Sequence, residues 1–129
     1  MVLLVEDQEA LRVAVSLSLE KFGFAVISAR DGTAAINLFR ERMNDINVVL
    51  LDLTLPGVSG ADVYRELLRM KPEVKVVLTS AYDLEQISPD FPFDGEALFH
   101  FIRKPYRISD LVGSLQRAVL ERTGNSTST

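Results

Sequence analysis

The 129-residue chain contains no cysteine and no tryptophan, and its one histidine is His100. Without thiols there can be neither a disulfide nor a thiolate metal site, which suits a reducing compartment, and a single imidazole makes a poor zinc site. Long hydrophobic runs are also missing. The longest are about five residues against the roughly 20 that span a bilayer, and Glu6 and Asp7 spoil any secretory leader. A soluble, cytoplasmic protein is expected. Nor is there an excess of positive charge: 14 Lys and Arg stand against 18 Asp and Glu, for a net charge of -4. A nucleic-acid backbone selects the opposite balance. Arg65, Arg69 and Lys71 do cluster, but a solvated helix face accounts for them.

What is present is a hydrophobic content of 47%, enough in a chain of this length to enclose one core, so a single domain is expected. Short β-rich runs alternate with segments of helical period. Val2 to Val5 reads as a strand; Gln8 to Phe22 follows as a helix, with Leu11, Val15, Ser18, Leu19 and Phe22 on one stripe and Gly23 closing it. Val13 and Leu17 fall off that stripe. The pattern repeats as a strand at Ala25 to Ser28, a helix at Thr33 to Met43 and a strand at Asn47 to Asp52. The next helix opens at Ser59, with Asp62 completing an approximate capping box, and stops before Pro72. Lys75 to Thr79 and Leu98 to Arg103 are the fourth and fifth strands. A last helix from Ser109 carries Leu111, Val112, Leu115 and Val119 on one face. Residues 1–122 make the domain; 123–129, rich in Ser and Thr, read as a disordered tail or linker.

Five strands alternating with helices imply an α/β fold with a parallel sheet covered on both faces, because parallel neighbours need crossover connections. Such sheets bind ligands beyond the carboxyl ends of their strands. The polar residues collect at those ends: Glu6 and Asp7 after the first strand, Asp52 after the third, Thr79 and Ser80 at the fourth, and Lys104 after the fifth. In VVLLDLTLPG a buried strand delivers a carboxylate at its end, where the charge is costly unless it is used. Carboxylates brought together repel and gain proton affinity unless a cation neutralises them. Magnesium is the hard cation that fits a site of one or two carboxylates plus a phosphate. Lys104 and Ser80 are groups suited to the oxygens of a transferring phosphoryl group, and Asp52 then reads as the nucleophile that accepts it as an acyl phosphate.

These residues resemble the receiver domains of two-component response regulators, from Val2 to about Glu121. The motifs are the acidic pair Glu6-Asp7, Asp52 in DLTLPG with Gly60 opening the next helix, Ser80 before Ala81, and Lys104 before Pro105. The resemblance implies a flavodoxin-like, doubly wound, five-stranded sheet in the order 2-1-3-4-5. It implies that Asp7, Asp52 and the backbone carbonyl of Thr54 ligate Mg2+, with Glu6 acting more indirectly, and that Phe101 is an aromatic switch changing rotamer with Ser80. It also implies a histidine kinase or histidine phosphotransfer domain as phosphodonor, with a catalytic repertoire limited to the chain's own aspartyl phosphorylation and dephosphorylation. DLTLPG and LTSAY are nearest to the receivers of hybrid sensor kinases, so the chain is expected to be a stand-alone receiver or one excised from a longer protein, monomeric or weakly dimeric.

Plainer readings accompany each residue. Glu6 and Asp7 could cap the first helix at its positive end, and Thr79 is the rival hydroxyl to Ser80, although strand alternation turns it to the other face. Lys104 alone would be a surface lysine, but the following Pro105 suggests a fixed peptide, with the cis form open to it, aiming the ammonium inward. Phe101 could be plain core, and His100 reads as structural or solvent-facing. Between Ser80 and Lys104, Pro89, Pro92 and Gly95 break the helical period, so the fourth helix is expected to be short or irregular. Three other functions stay open: a haloacid-dehalogenase-like phosphatase, which needs a second acid where Thr54 stands; a nucleotide or flavin module, which EDQE would repel; and a receiver-like scaffold that is never phosphorylated.

Overall fold

The computed structural model describes residues 1–83 and 99–120. Five parallel strands, β1 (Val2–Val5), β2 (Val26–Ala29), β3 (Val48–Asp52), β4 (Val76–Ser80) and β5 (Phe99–Arg103), form one sheet in the order β2-β1-β3-β4-β5. Four helices are described: α1 (Glu9–Lys21), α2 (Gly32–Arg42), α3 (Gly60–Met70) and α4 (Ile108–Leu120). The expected irregular fourth helix and the tail at 123–129 lie outside the described residues.

Strand alternation sorts the core into two layers. Leu3, Val5, Val49, Leu51, Val76 and Leu78 point to one face and pack against Ala35 and Phe39 of α2 and Val63, Tyr64 and Leu67 of α3. Their neighbours Val2, Leu4, Val48, Leu50 and Val77 point to the other face, against Val15 and Leu19 of α1 and Leu111, Val112, Leu115 and Ala118 of α4. Burial on both faces explains why these strands read as continuous hydrophobic runs.

The helix ends follow their local chemistry. Asp31 caps α2 by accepting from Ala34 N at 2.8 Å, and Ser59 caps α3 by accepting from Asp62 N at 3.1 Å. The second half of the expected capping box is absent from this arrangement, because the Asp62 carboxylate takes the Arg65 guanidinium at 2.9 Å. Arg69 pairs with Glu66 and Lys71 donates to the Met43 carbonyl, which places the basic cluster on a helix face knitted to its own surroundings.

Two residues leave their expected stripes. Phe22 is 54% exposed, since α1 ends at Lys21 and the chain then turns through Gly23 at φ +94°, taking Phe22 out of the helical period. In α4 the buried position is Ala118 rather than Val119. At about 3.6 residues per turn, Ala118 returns almost above Leu111 in the middle of the buried stripe, whereas Val119 lies above Val112 at the edge of that stripe and one residue from the helix end. Val13 and Leu17 are exposed on α1, as their places off the stripe require. The second, third and fourth strands each begin one residue later than the sequence pattern suggests, and Ser80 closes β4 as a strand residue.

Candidate functional site

The topology brings the polar strand ends together. β1 has β2 on one side and β3 on the other, so the chain reverses its direction of winding there and leaves a crevice at the carboxyl ends of β1 and β3. Val5 pairs with Leu51, and one step further along each strand stand Glu6 and Asp52. Asp52 is paired with Thr79 on the next strand, and Ser80 with Arg103 on the one after. The ladder runs one residue beyond β5, where Lys104 N donates to the Ser80 carbonyl at 2.8 Å. Four chain segments therefore end at one rim.

Glu6, Asp7 and Asp52 each offer a carboxylate oxygen within 4.8 Å of the others. Glu6 and Asp52 are buried, and Asp7 is exposed beside them. Lys104 reaches in between: Nζ lies 2.8 Å from Glu6 Oε1 and 2.8 Å from Asp52 Oδ2. The Lys104–Pro105 peptide is cis, as the sequence suggested. The other oxygen of Asp52 accepts from Thr54 N at 2.9 Å and from the Thr54 hydroxyl at 2.8 Å. The second oxygen of Glu6 accepts from Gln8 N at 3.2 Å, so Glu6 does serve the start of α1 while also facing the lysine. The two readings of that residue are compatible.

The electrostatics follow from burial. Removal from water pushes the Glu6 carboxyl above its ordinary range; the bonds from Lys104 and Gln8 N pull it down without fully offsetting that, and the nearby Asp52 charge adds to the rise. For Lys104 burial acts the other way, but the bonds to Asp52 and Glu6 outweigh it and hold the ammonium above its ordinary value. The site thus keeps its positive charge and has carboxylate capacity to spare. Oxygen-only donors around an acidic cluster in which one ammonium faces three carboxylates are what a hard divalent cation requires, so the residues fit Mg2+.

Ser80 is fully buried, but its hydroxyl accepts from Tyr82 N at 3.0 Å instead of meeting Asp52. Phe101 is partly buried against the core layer of α2 and α3. His100 is half-buried in β5. Two contributions escaped the sequence reading. The Thr54 side chain is bonded to Asp52, a pairing that Asp-x-Thr allows because an aspartate readily accepts from the residue two further on. Arg12 Nη1 donates to the Glu6 carbonyl at 3.0 Å, tying α1 to the acidic loop, and no local pattern signals a bond across six residues.

Beside the cluster, Leu11, Ala81, Lys104, Pro105 and Tyr106 line an apolar cavity of about 320 Å³. Burial pushes the Tyr106 phenol up to about 12 from its ordinary 10.0; the Lys104 charge lowers it, and Glu6 and Asp52 raise it. An unfolded chain would lose this proton near 10.0 and the folded one only near 12, so raising the pH across that window favours unfolding. We expect the urea midpoint to fall between pH 10 and 12 and Tyr106→Phe to make that fall shallower. Equal slopes for the two proteins would refute the assignment.

Comparison with known proteins places this geometry. A family model described as the response regulator receiver domain matches residues 2–116. The sensory transduction protein RegX3 of Mycobacterium tuberculosis is 38% identical over 130 residues, a match covering 98% of this chain and 53% of the relative. The sensor kinase CckA of Brucella abortus is 30% identical over 115 residues, covering 89% of this chain and 12% of the kinase. Among solved structures, a response regulator receiver domain protein from Clostridium thermocellum superposes with a TM-score of 0.83 at 26% identity, covering 92% of each chain. The chain spans about half the length of RegX3 and a small part of CckA. Among the described residues, no helix is long and apolar enough to cross a membrane.

Proposed function

Because the chain belongs to the response regulator receiver domain family, we propose that its Asp52 is the phosphoacceptor, taking a phosphoryl group from a phosphohistidine on a histidine kinase or histidine phosphotransfer domain. The observation that carries this reading is Lys104 Nζ held 2.8 Å from both Asp52 and Glu6 at the carboxyl rim of the sheet. A carboxylate oxygen of Asp52 attacks phosphorus, the O–P bond forms as the N–P bond to the imidazole breaks, and the freed imidazole takes a proton from solvent. The product is an acyl phosphate.

Each neighbour has a part in that step. Lys104 faces the transferring oxygens, while its second bond, to Glu6, keeps the ammonium in place when Asp52 is used. The Thr54 N–H and hydroxyl orient the carboxylate. Ser80 has a lone pair occupied by Tyr82 N, which leaves its own hydrogen to donate to a phosphoryl oxygen. Asp7, Asp52 and the backbone carbonyl of Thr54 would hold Mg2+, with Glu6 acting indirectly, and the ion would supply positive charge to the phosphoryl oxygens. The added charge on Asp52 then draws Ser80 and Phe101 toward a second arrangement that already exists as a minor population. The phosphatase alternative loses ground here, because Thr54 stands where that chemistry needs an acid and its hydroxyl is engaged by Asp52.

Incubation with acetyl phosphate and Mg2+ is expected to raise the intact mass by one phosphoryl group. Asp52→Asn, nearly isosteric, is expected to abolish the gain. Equal labelling of the two proteins would remove Asp52 from this role.

A further inference from the structure

The loop that follows Ser80 is gripped by a residue outside the proposed acceptor site. Arg103 is the β5 partner of Ser80 and precedes Lys104. Its guanidinium reaches back to the β4 side: Nε donates to the Ala81 carbonyl at 3.2 Å, and Nη1 lies 2.7 Å from Asp83 Oδ1. Within the same loop Tyr82 N is bonded to the Ser80 hydroxyl. Residues 81, 82 and 83 are thus held at successive points, two of them by one side chain.

We infer that Arg103 is a positioning residue that holds the Ala81–Asp83 loop in its resting arrangement, and so sets how readily Ser80 turns to a phosphoryl group on Asp52. This rests on the phosphoacceptor reading above. Both partners of the ion pair are more than half exposed, so water screens the pair and it adds little to global stability. A balance between two loop arrangements is sensitive to contacts of that small size, whereas the stability of the whole fold is not. Ser80 must approach Asp52, and its carbonyl is fixed by Lys104 N; the movement therefore has to be taken up by Ala81 and the residues after it, where Arg103 holds the backbone.

The test is titration with beryllofluoride, a mimic of the phosphoryl group, in saturating Mg2+, followed by calorimetry. Arg103→Ala is expected to bind about 2- to 5-fold more tightly than the unchanged protein, the scale of a contact between exposed groups. Asp83→Asn should bind more tightly by a smaller factor, because the Ala81 bond survives. Arg103→Lys, which keeps the charge toward Asp83 without the Nε donor, should fall between Arg103→Ala and the unchanged protein. Unfolding midpoints should stay close together across the set, which a purely structural role would not give alongside altered affinity. Equal affinities in all four proteins, or tightest binding by the unchanged one, would overturn the inference. If the unchanged protein fails to bind beryllofluoride at all, it is the phosphoacceptor reading that fails instead.

Discussion

Replacing Lys104 by methionine is expected to destabilise the protein and, in the same stroke, to make its stability depend on Mg2+. The ammonium is the shared partner of two carboxylates whose side chains are only 4% and 3% exposed. Its removal leaves Glu6 and Asp52 facing each other without a cation, and breaking a buried pair from one side costs about 3–5 kcal/mol. The lower end is expected, because Glu6, already pushed above the ordinary carboxylate range by burial, can take up a proton and relieve part of the repulsion. Mg2+ is expected to supply the neutralising charge that the lysine gave, and so to raise the unfolding midpoint of the variant more than that of the unchanged protein. Phosphoryl uptake should nevertheless fall roughly 100- to 1000-fold, the scale of losing one preorganised charge in a water-poor site. Unfolding with and without Mg2+, alongside the rate of labelling by acetyl phosphate, checks both halves. An unchanged midpoint with the same Mg2+ response would mean that the lysine does not balance these acids.

The second large effect is expected at a residue with no side chain. Gly60 opens α3, and a Cβ placed there would lie 2.4 Å from Leu53 Cα and 2.6 Å from the Asp52 carbonyl oxygen. Both are backbone atoms, so no rotamer change can make room. Gly60→Ala must push α3 away from the end of β3 or push the Asp52–Leu53 backbone itself; overpacking of this kind costs about 1–3 kcal/mol. The site suffers more than the fold does, since a shift near 1 Å at reacting groups can cost about 100-fold in rate. Gly57→Ala provides the contrast. Gly57 has φ +71° and a Cβ added to it would have no atom within 4 Å, so alanine there meets backbone strain of about 1–2 kcal/mol but no collision with Asp52. Labelling rates at matched folded fraction should separate the two variants widely. Similar rates would show that α3 yields without disturbing Asp52.

Both predictions concern packing around Asp52, and the sequence reached only part of that packing. The strands were legible because both faces are buried, so each reads as an uninterrupted apolar run such as VLLV or VVLLD, and the helices because their stripes recur every three or four residues. The stripes failed where a helix stops or rotates, at Phe22 and Val119, since a periodic pattern carries no mark of where its neighbour ends. That Glu6, Asp7, Asp52 and Lys104 gather at one rim was legible because each stands at or just beyond the carboxyl end of a strand, and buried charge at such a place is costly without a partner. The Arg12 bond to the Glu6 carbonyl, the Thr54 hydroxyl on Asp52 and the grip of Arg103 on the loop were not, because each depends on where a side chain lies after the chain has folded.

By itself, then, the order of residues determined the alternation of strands and helices and the set of polar groups delivered to one rim, because both are written in spacings of two to four residues. Only the tertiary structure decided how those groups share their bonds: that one ammonium serves both Glu6 and Asp52, that the Ser80 hydroxyl faces Tyr82 N, and that Gly60 lies against the backbone of Asp52 and Leu53. These contacts join residues as far apart as Glu6 and Lys104, and hydrogen bonds act over a few ångströms of space whatever the distance along the chain.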